Sequence, residues 1–289
     1  MNSQELRTEL SRLASAHVKR NALENQHYSS SKGVVLFKPY VLDGVERHGN
    51  FLQKSYSAIL ARPDWRCRLC KSHTHAGKDG LVSAAKETDS CNSSDALLMN
   101  IFCHPDVQGN TTLANFLGVD SLGVHVFGWK TKLPWTKDQC EHTPTEIDMF
   151  AQLLVEAKLT EQRFQVAKTE KVERYRDFSK TFDPEKLQSA NGTYEGYQVI
   201  RNVLAALHHN ARLCLIYDQR RDDLLRRWNK VQNAIKDEQA ALKERCRIVS
   251  WQQIAANVPN ELQQFLEEKY GIKPPAWEPI TPSNPCTRA

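Results

Sequence analysis

The sequence predicts a mixed α/β fold in which helices flank a central sheet. Two short strand-like runs, 146–150 and 153–159, follow one another so closely that they predict a hairpin. A continuous apolar run at 212–217 is typical of a strand buried on both faces. Helical patterns of apolar residues precede and separate these strands. The order strand, hairpin, helix, strand, helix, strand therefore predicts a mixed central sheet with helices on both faces.

Length and composition are those of a globular chain that buries a substantial core. The chain has 289 residues, of which 40% are hydrophobic and 25% charged. No apolar run is long enough for a membrane span, and the N-terminus lacks a secretory signal. We expect a cytoplasmic protein without membrane contact, whose eight cysteines are mostly reduced thiols. The net charge of +5 only weakly favours a polyanionic partner.

The first 92 residues are expected to form a helical elaboration packed on the core. Leu6, Leu10, Leu13 and Ala14 make a helical stripe within 3–20. A short strand is predicted at 34–37, an irregular segment at 38–49, and a helix at 51–61 that stops near Pro63. The stretch 65–90 is polar and is predicted to be loop-rich.

The core is predicted to span 93–272. It begins with a capped helix from 93 to about 103, then a helix at 111–117 and a strand at 123–129. After the central hairpin we predict helices at 166–178, 194–209, 218–245 and 260–270, with strands at 212–217 and 247–250. Residues 273–289 are rich in proline and predict an extended tail.

The candidate chemistry lies in the central hairpin. Side chains alternate along a strand, so Glu156 and Lys158 are expected on one face, and Glu146 and Asp148 on one face of the strand before. The hairpin would bring Asp148 beside Glu156. Adjacent carboxylates repel one another unless a cation lies between them, and hard oxygen ligands suit Mg²⁺ or Mn²⁺. We expect Asp148 and Glu156 to bind the metal, and Lys158 to position the attacking water or stabilise developing charge.

Asp148 and, after seven intervening residues, Glu156-Ala157-Lys158 resemble the active-site signature of the PD-(D/E)xK nuclease superfamily. The resemblance implies a restriction-endonuclease-like αβββαβ core that cuts phosphodiester bonds with Mg²⁺. Further segments are similar to a bacterial branch of restriction-endonuclease-like proteins: HGNFLQKSY at 48–56, RPDW at 62–65, VEAKLTE at 155–161 and FLEEKYGI at 265–272. The resemblance to nucleases implies DNA as the substrate, with restriction or phage defence as the candidate role, and cleavage of both strands would favour a homodimer by analogy.

The chain departs from the superfamily pattern in two places. Ile147 stands where the signature has a proline, and Pro144 lies further upstream. Gln198 is followed after four residues by Asn202, where recombination-type nucleases carry a tyrosine. Gln198 is therefore a second-tier candidate, as are Glu146 and Asp95. Asp95 would supply the acid that many members carry on the first core helix, or would cap that helix.

Each candidate also has a structural interpretation. The two acids and Lys158 could form a salt-bridge network on a solvated sheet face, leaving a catalytically inactive nuclease-fold protein that binds nucleic acid or a protein partner. Candidate contacts to nucleic acid are Lys130, Lys132 and Arg201. The basic run 220–230 could touch phosphates or form a solvated helix face.

Cysteine and histidine residues allow three interpretations, of which two are functional sites. Cys67 and Cys70, with His73 and His75, could form half of a zinc site, although reduced thiols are the default. A third possibility, a nucleophile–base pair of Cys140 and His142, lacks an orienting acid.

Overall fold

A computed structural model describes residues 1–29, 33–72, 85–136, 144–189 and 191–275. The helices are α1 Ser3–Arg20, α2 Gln53–Ala61, α3 Pro63–Leu69, α4 Ser94–Phe102, α5 Pro105–Gln108, α6 Thr111–Leu117, α7 Thr169–Val172, α8 Phe178–Thr181, α9 Pro184–Leu187, α10 Tyr197–His208, α11 Asp222–Asn233, α12 Ala240–Arg245, α13 Trp251–Ala255 and α14 Asn260–Tyr270. The strands are β1 His27–Ser29, β2 Val35–Phe37, β3 Pro39–Leu42, β4 Val45–His48, β5 Val126–Thr131, β6 Thr145–Phe150, β7 Leu153–Ala157, β8 Val166–Lys168, β9 Gln188–Ser189, β10 Thr193–Glu195, β11 Arg212–Tyr217 and β12 Cys246–Ser250.

A five-stranded mixed sheet in the order β12-β11-β7-β6-β5 forms the centre of the fold. Strand β11 runs parallel to both β7 and β12, whereas β5, β6 and β7 are joined antiparallel. The predicted mixed α/β class is confirmed. The edges of the sheet are β5 and β12, so the hairpin of β6 and β7 lies inside it.

Both faces of the sheet are covered, because alternate residues of β7 enter different hydrophobic clusters. Leu153 and Val155 join a cluster that includes α4 residues such as Leu97. Leu154 joins the opposite cluster, which includes Val199 of α10. This alternation is the period-two pattern of a strand buried on both sides.

The N-terminal region contains more strand than predicted. Segment 38–49, predicted to be irregular, forms the β3–β4 hairpin. Its turn residues Asp43 and Gly44 have φ values of +52° and +75°, as a type I′ turn requires. Leu6, Leu10 and Phe51 join the same hydrophobic cluster as α4, so this region packs directly on the sheet.

Two predicted helices are shorter than expected. The prediction of a helix at 166–178 is wrong. Residues 166–168 form β8, which pairs with β10. Before residue 178, only 169–172 are helical. Helix 194–209 begins later, at Tyr197, because Gly196 adopts a left-handed φ of +83° between β10 and α10.

The predicted helix 218–245 is interrupted, and α11 and α12 replace it. After α11 the chain makes backbone hydrogen bonds with 181–183, through Lys236 N–H to Thr181 O at 3.0 Å and Asp183 N–H to Ala234 O at 2.8 Å. These long-range bonds replace helical ones, which no local pattern could indicate. Among the described residues, no helix is long and apolar enough to cross a membrane.

Candidate active site

The acids Asp148 and Glu156 meet where β6 and β7 separate. Met149 pairs with Val155 in the hairpin, so the next positions in register are Asp148 and Glu156. Instead of a further ladder bond, Ala157 N–H donates to Asp148 Oδ2 at 2.9 Å. The side chain of Asp148 thus holds the two strands together while opening a gap between them. The predicted approach of the two acids is found.

Glu156 is 1% exposed, and both its carboxylate oxygens accept hydrogen bonds. Oε1 lies 2.6 Å from Lys158 Nζ and 2.6 Å from Gln198 Nε2. Oε2 accepts from Asn202 Nδ2 at 2.8 Å. Lys158 and Gln198 are therefore at the site, as the sequence predicted. Asn202 was missed as a partner, although its position one turn after Gln198 on α10 was a usable signal.

The backbone around Lys158 is fixed from two sides. Its N–H donates to Ile216 O of β11 at 2.8 Å, and its carbonyl accepts from Trp251 Nε1 at 2.9 Å. Burial by itself would lower the pKa of the Lys158 ammonium, but Glu156, Glu161 and Asp148 raise it above its ordinary value. Lys158 is therefore a permanent positive charge at this site.

The loop after β7 is held by a residue of the basic run. Arg221 is fully buried and donates to Leu159 O at 3.2 Å and to Glu161 O at 2.9 Å. The basic run was predicted either to contact phosphates or to form a solvated helix face. Both predictions are wrong for Arg221, because its side chain is buried. The carboxylate of Glu161 accepts from Ser94 Oγ at 2.7 Å and from Leu159 N–H at 2.6 Å, so it links α4 to the same loop.

A second cluster of charges lies beside Asp148 and is organised by Arg68 of α3. Arg68 Nη1 lies 2.7 Å from Glu146 Oε1, and Nη2 lies 2.8 Å from Asp95 Oδ1. Asp148 Oδ1 is 3.7 Å from Nη2. Lys71 Nζ approaches Asp95 Oδ2 to 3.2 Å and Glu146 Oε1 to 3.4 Å. The structure thus brings Asp95, Glu146 and Asp148 together around one guanidinium.

Gly128 gives Arg68 access to the sheet. A Cβ atom at this position of β5 would lie 2.4 Å from Arg68 Nη1, and Gly128 has a φ of +64°. Arg68 was missed because 65–90 was predicted to be loop-rich, whereas Pro63 occupies the first turn of α3. Proline at this position starts a helix as readily as it ends the preceding one.

Asp95 is held by charge and does not cap α4. The cap is Ser93, whose Oγ accepts from Ala96 N–H at 3.1 Å. Burial would raise the pKa of Asp95, but Arg68 and Lys71 hold it below the ordinary value. The pKa of Glu146 is likewise lowered: burial opposes ionisation, and the hydrogen bond from Arg68 and the charge of Lys71 outweigh it.

Asp148 shows the opposite behaviour. Burial raises its pKa well above the ordinary value, and the neighbouring charges of Glu156 and Asp95 raise it further. Lys158 and the N–H of Ala157 oppose this rise without cancelling it. The carboxyl group of Asp148 is therefore the one in this site that most needs a further cation.

These residues fit a divalent cation bound by few protein ligands. The described residues contain no group of three or more His, Cys, Asp or Glu side chains that could hold a metal ion. Mg²⁺ is commonly held by one or two carboxylates, with waters and substrate phosphates completing its shell. Asp148 and Glu156 would hold it here. Glu156 and Lys158 are 1% and 6% exposed, so the interpretation as a solvated surface network does not fit.

A group of cations lies on the neighbouring face of α10. Lys171 Nζ and Arg201 Cζ each lie 4.9 Å from the centroid of the Tyr197 ring. Tyr197 Oη is 2.9 Å from Tyr175 Oη. Among the described residues, no carboxylate forms a salt bridge with Lys171 or Arg201. We refer to Tyr175, Tyr197, Lys171 and Arg201 as the tyrosine–cation cluster.

The other predicted contacts to nucleic acid lie on the sheet edge. Lys130 is exposed on β5, in register with Glu146, and Lys132 is exposed just beyond that strand. Edge strand β5 also carries Gly128, so these lysines share the strand through which Arg68 enters.

The cysteine hypotheses are only partly within the described residues. Cys67 and Cys70 are exposed free thiols. His73, His75, Cys140 and His142 lie outside the described residues, so the zinc half-site and the nucleophile–base pair stay predictions. Cys91 and Cys103 are buried free thiols, as expected for reduced cysteines.

Comparison with known proteins identifies a family. Neither the curated proteins nor the solved structures contain a significant match to this chain. The family model described as "Restriction Endonuclease associating with ARP" matches residues 12–271. The match covers most of the chain, including every residue of the site described above. The protein belongs to this restriction-endonuclease family.

Proposed function

We propose that the protein is a metal-dependent nuclease that hydrolyses phosphodiester bonds, with DNA as the substrate and restriction or phage defence as the role. The observation that carries the proposal is the juxtaposition of Asp148 with the buried Glu156 and Lys158, where β6 and β7 separate. Membership of a restriction-endonuclease family supports the same chemistry.

The topology supports the proposal that 93–272 form a PD-(D/E)xK-type core. Two sets of short elements interrupt the core order: α5 and α6 after α4, and the insertion from β8 to β10, which includes α7, α8 and α9, after β7. Without them, the order α4, β5, β6, β7, α10, β11 is that of an αβββαβ core. Three further features agree with it: the antiparallel β5–β6–β7 meander, the parallel pairing of β7 with β11, and the position of the acids on β6 and β7. We propose that residues 1–92 elaborate this core and that 273–289 form a tail.

The roles of the residues follow from their contacts. Mg²⁺ or Mn²⁺, when bound, would neutralise charge on the scissile phosphate and activate water. Asp148 and Glu156 hold that cation. Lys158, fixed by Ile216 and Trp251, directs its ammonium toward the attacking water or the developing negative charge. Gln198 and Asn202 keep the carboxylate of Glu156 in one orientation.

The tyrosine–cation cluster is a proposed contact for the substrate backbone. Arg201 lies on α10 between Gln198 and Asn202, the two residues that contact Glu156. Its charge and that of Lys171 suit a phosphate next to the scissile one. Lys130 and Lys132 on the β5 edge would contact a more distant part of the same strand.

The test is a cleavage assay on linear, circular and single-stranded DNA, and on RNA, with Mg²⁺ or with EDTA. We expect Mg²⁺-dependent cleavage of DNA that is lost in Glu156→Ala and Lys158→Ala. Glu244→Ala, on the exposed face of α12, is the matched control and should cut like the parent. Folded Glu156→Ala protein that cuts as well as the parent contradicts the proposal.

A second candidate is a catalytically inactive nuclease-fold protein that binds nucleic acid or a protein partner. The saturation of Glu156 favours it, because Lys158, Gln198 and Asn202 already satisfy both carboxylate oxygens. The family description, which names association with ARP, also suggests a protein partner. DNA binding without cleavage under any tested divalent cation would support this candidate. A homodimer is a further proposal, which sedimentation of the purified chain would test.

A further inference from the structure

Arg68 enters the acidic site from the N-terminal region, outside the segment that carries the nuclease signature. We propose that the site takes one divalent cation and that the guanidinium of Arg68 fills the position where a second would be bound. This inference rests on the proposed nuclease function and deepens it by assigning the metal stoichiometry and a positioning residue.

Three carboxylates surround the guanidinium of Arg68. Asp95 and Glu146 each form a close ion pair with Arg68, at 2.8 Å and 2.7 Å. Asp148 lies at 3.7 Å from Nη2 on the same fork. Carboxylates from α4 and β6 thus converge on one cationic group, and with Arg68 in place they form no metal-binding group among the described residues. A guanidinium is planar, permanently charged and able to bind several carboxylates at once.

The charges of the site are balanced by close ion pairs except at Asp148. Arg68 and Lys71 face Asp95 and Glu146, so two positive groups balance two negative ones. On the other side, Lys158 is paired with Glu156 at 2.6 Å. Asp148 lies between these two pairs, and within the part of the chain that the structure describes its shortest ion pair is the 3.7 Å contact to Arg68.

One carboxylate therefore lacks a close cation, and it is the one beside Glu156. A divalent cation bound by Asp148 and Glu156 neutralises it. A second divalent ion among Asp95, Glu146 and Asp148 would have to displace Arg68 or place like charges side by side. The charges of the described residues accommodate one ion.

The side chain of Arg68 is tightly packed in its position. Its side chain is 8% exposed, and its tip lies in space that only a glycine at position 128 leaves open. Lys71 is 35% exposed and shares the same acids, so it assists without being fixed in the same way. The guanidinium is thus built into the site as a stationary charge.

The experiment counts bound Mn²⁺ on the full chain without nucleic acid, from the electron paramagnetic resonance signal of the free ion. We expect one Mn²⁺ per chain for the parent and none for Asp148→Asn. Arg68→Gln removes the charge and should bind two ions, whereas Arg68→Lys retains the charge and should bind one. Arg62→Gln is the matched control: Arg62 pairs with Asp64 at 2.7 Å at the start of α3, away from the acids, and its loss should leave one ion.

The outcomes separate this inference from the nuclease proposal. Two ions on the parent chain, or one ion on folded Arg68→Gln, overturn the inference and leave a Mg²⁺-dependent nuclease in place. No ion on the parent chain overturns this inference, and the cleavage assay then decides the nuclease proposal separately, because substrate phosphates also contribute ligands to Mg²⁺. If Arg68 has only a structural role, linking α3 to the sheet, the Arg68→Gln variant should still bind one Mn²⁺ per chain. The count on the parent chain decides the question even where Arg68→Gln does not fold.

Discussion

Asp148 Oδ2 accepts the main-chain N–H of Ala157 at 2.9 Å, so a carboxylate of β6 takes the place of a ladder bond to β7. This single contact opens the sheet at the acids and buries a carboxyl group among other carboxylates. The contact itself favours the ionised form of Asp148, but burial and the neighbouring charges of Glu156 and Asp95 outweigh it, so the carboxyl group needs a cation in order to ionise.

Asp148→Asn should stabilise the protein while abolishing cleavage. The folded-state pKa of Asp148 is raised, so the folded state binds its proton more tightly than the unfolded chain. Stability therefore falls as pH rises from about 4 through the folded pKa, and the asparagine variant lacks that loss. We expect the variant to have the higher free energy of unfolding at pH 7 in EDTA, by an amount that grows as the pH rises.

Urea unfolding at pH 4 to 7 measures this difference, and the exposed Asp120→Asn is the control. A difference between Asp148→Asn and the parent that does not grow with pH would contradict the raised pKa.

Gln198→Ala and Asn202→Ala should weaken metal use without unfolding the protein. Each removes one donor to Glu156, and loss of such a supporting contact typically costs about 10- to 100-fold in metal affinity or activity. Asn202→Asp should lose more, since it adds a like charge beside Glu156. The Mg²⁺ concentration for half-maximal cleavage is the measurement, with His208→Ala on the same helix as control. If both variants need the same Mg²⁺ concentration as the parent, Gln198 and Asn202 do not support metal binding by Glu156.

Gly128→Ala should be more damaging than an ordinary glycine substitution. Its left-handed backbone costs about 1–2 kcal/mol for a residue with a Cβ, and the new atom would also collide with Arg68. Gly44→Ala is the matched control, because Gly44 has a φ of +75° and nothing within 4 Å. Urea unfolding of both variants isolates the contact with Arg68. Equal losses of stability would show that Arg68 moves aside freely.

The tyrosine–cation cluster should contribute to nucleic-acid binding through charge. Arg201→Gln and Lys171→Gln are each expected to lower the slope of log affinity against log salt by about 1. Fluorescence anisotropy with labelled DNA in EDTA measures this without cleavage. Lys19→Gln, an exposed substitution near the C-terminal end of α1, should leave the slope unchanged. Parent-like slopes in both cluster variants would place the substrate elsewhere.

Lys269 should make stability depend on pH far from the active site. Burial lowers its pKa to about 7, although its ammonium nitrogen contacts Asn50 and lies 3.0 Å from Tyr270 Oη. The unfolded chain binds this proton up to about pH 10.4, so stability is lost as pH falls toward 7. The slope reaches at most about 1.4 kcal/mol per pH unit.

Lys269→Met should remove this dependence. Unfolding in urea between pH 7 and 10 tests it, with the exposed Lys273→Met as control. If the parent and Lys269→Met show the same slope, Lys269 is not neutral in the folded protein.

Local pattern was sufficient for the centre of the fold and for half of the site. The alternation of β7, the continuous apolar run of β11 and the spacing of Asp148, Glu156 and Lys158 are properties of short segments. Hydrophobic periodicity reports such segments directly, because burial on one or both faces selects residues every two positions. Gln198 was predicted in a different way, from the resemblance to recombination-type nucleases, which carry a glutamine on the helix after the hairpin.

The other half of the site depends on contacts between distant segments. Arg68 reaches Asp95 and Glu146 across 27 and 78 residues, and Arg221 holds the loop after β7 from 60 residues away. The local sequence around an arginine in a polar stretch does not predict which carboxylates it will contact in the folded protein. Thus the chain's local sequence determined the mixed sheet and the acids on β6 and β7. Only packing of α3 through the gap at Gly128 decided how those acids are neutralised, because ion pairs form between neighbours in space, whatever their separation in sequence.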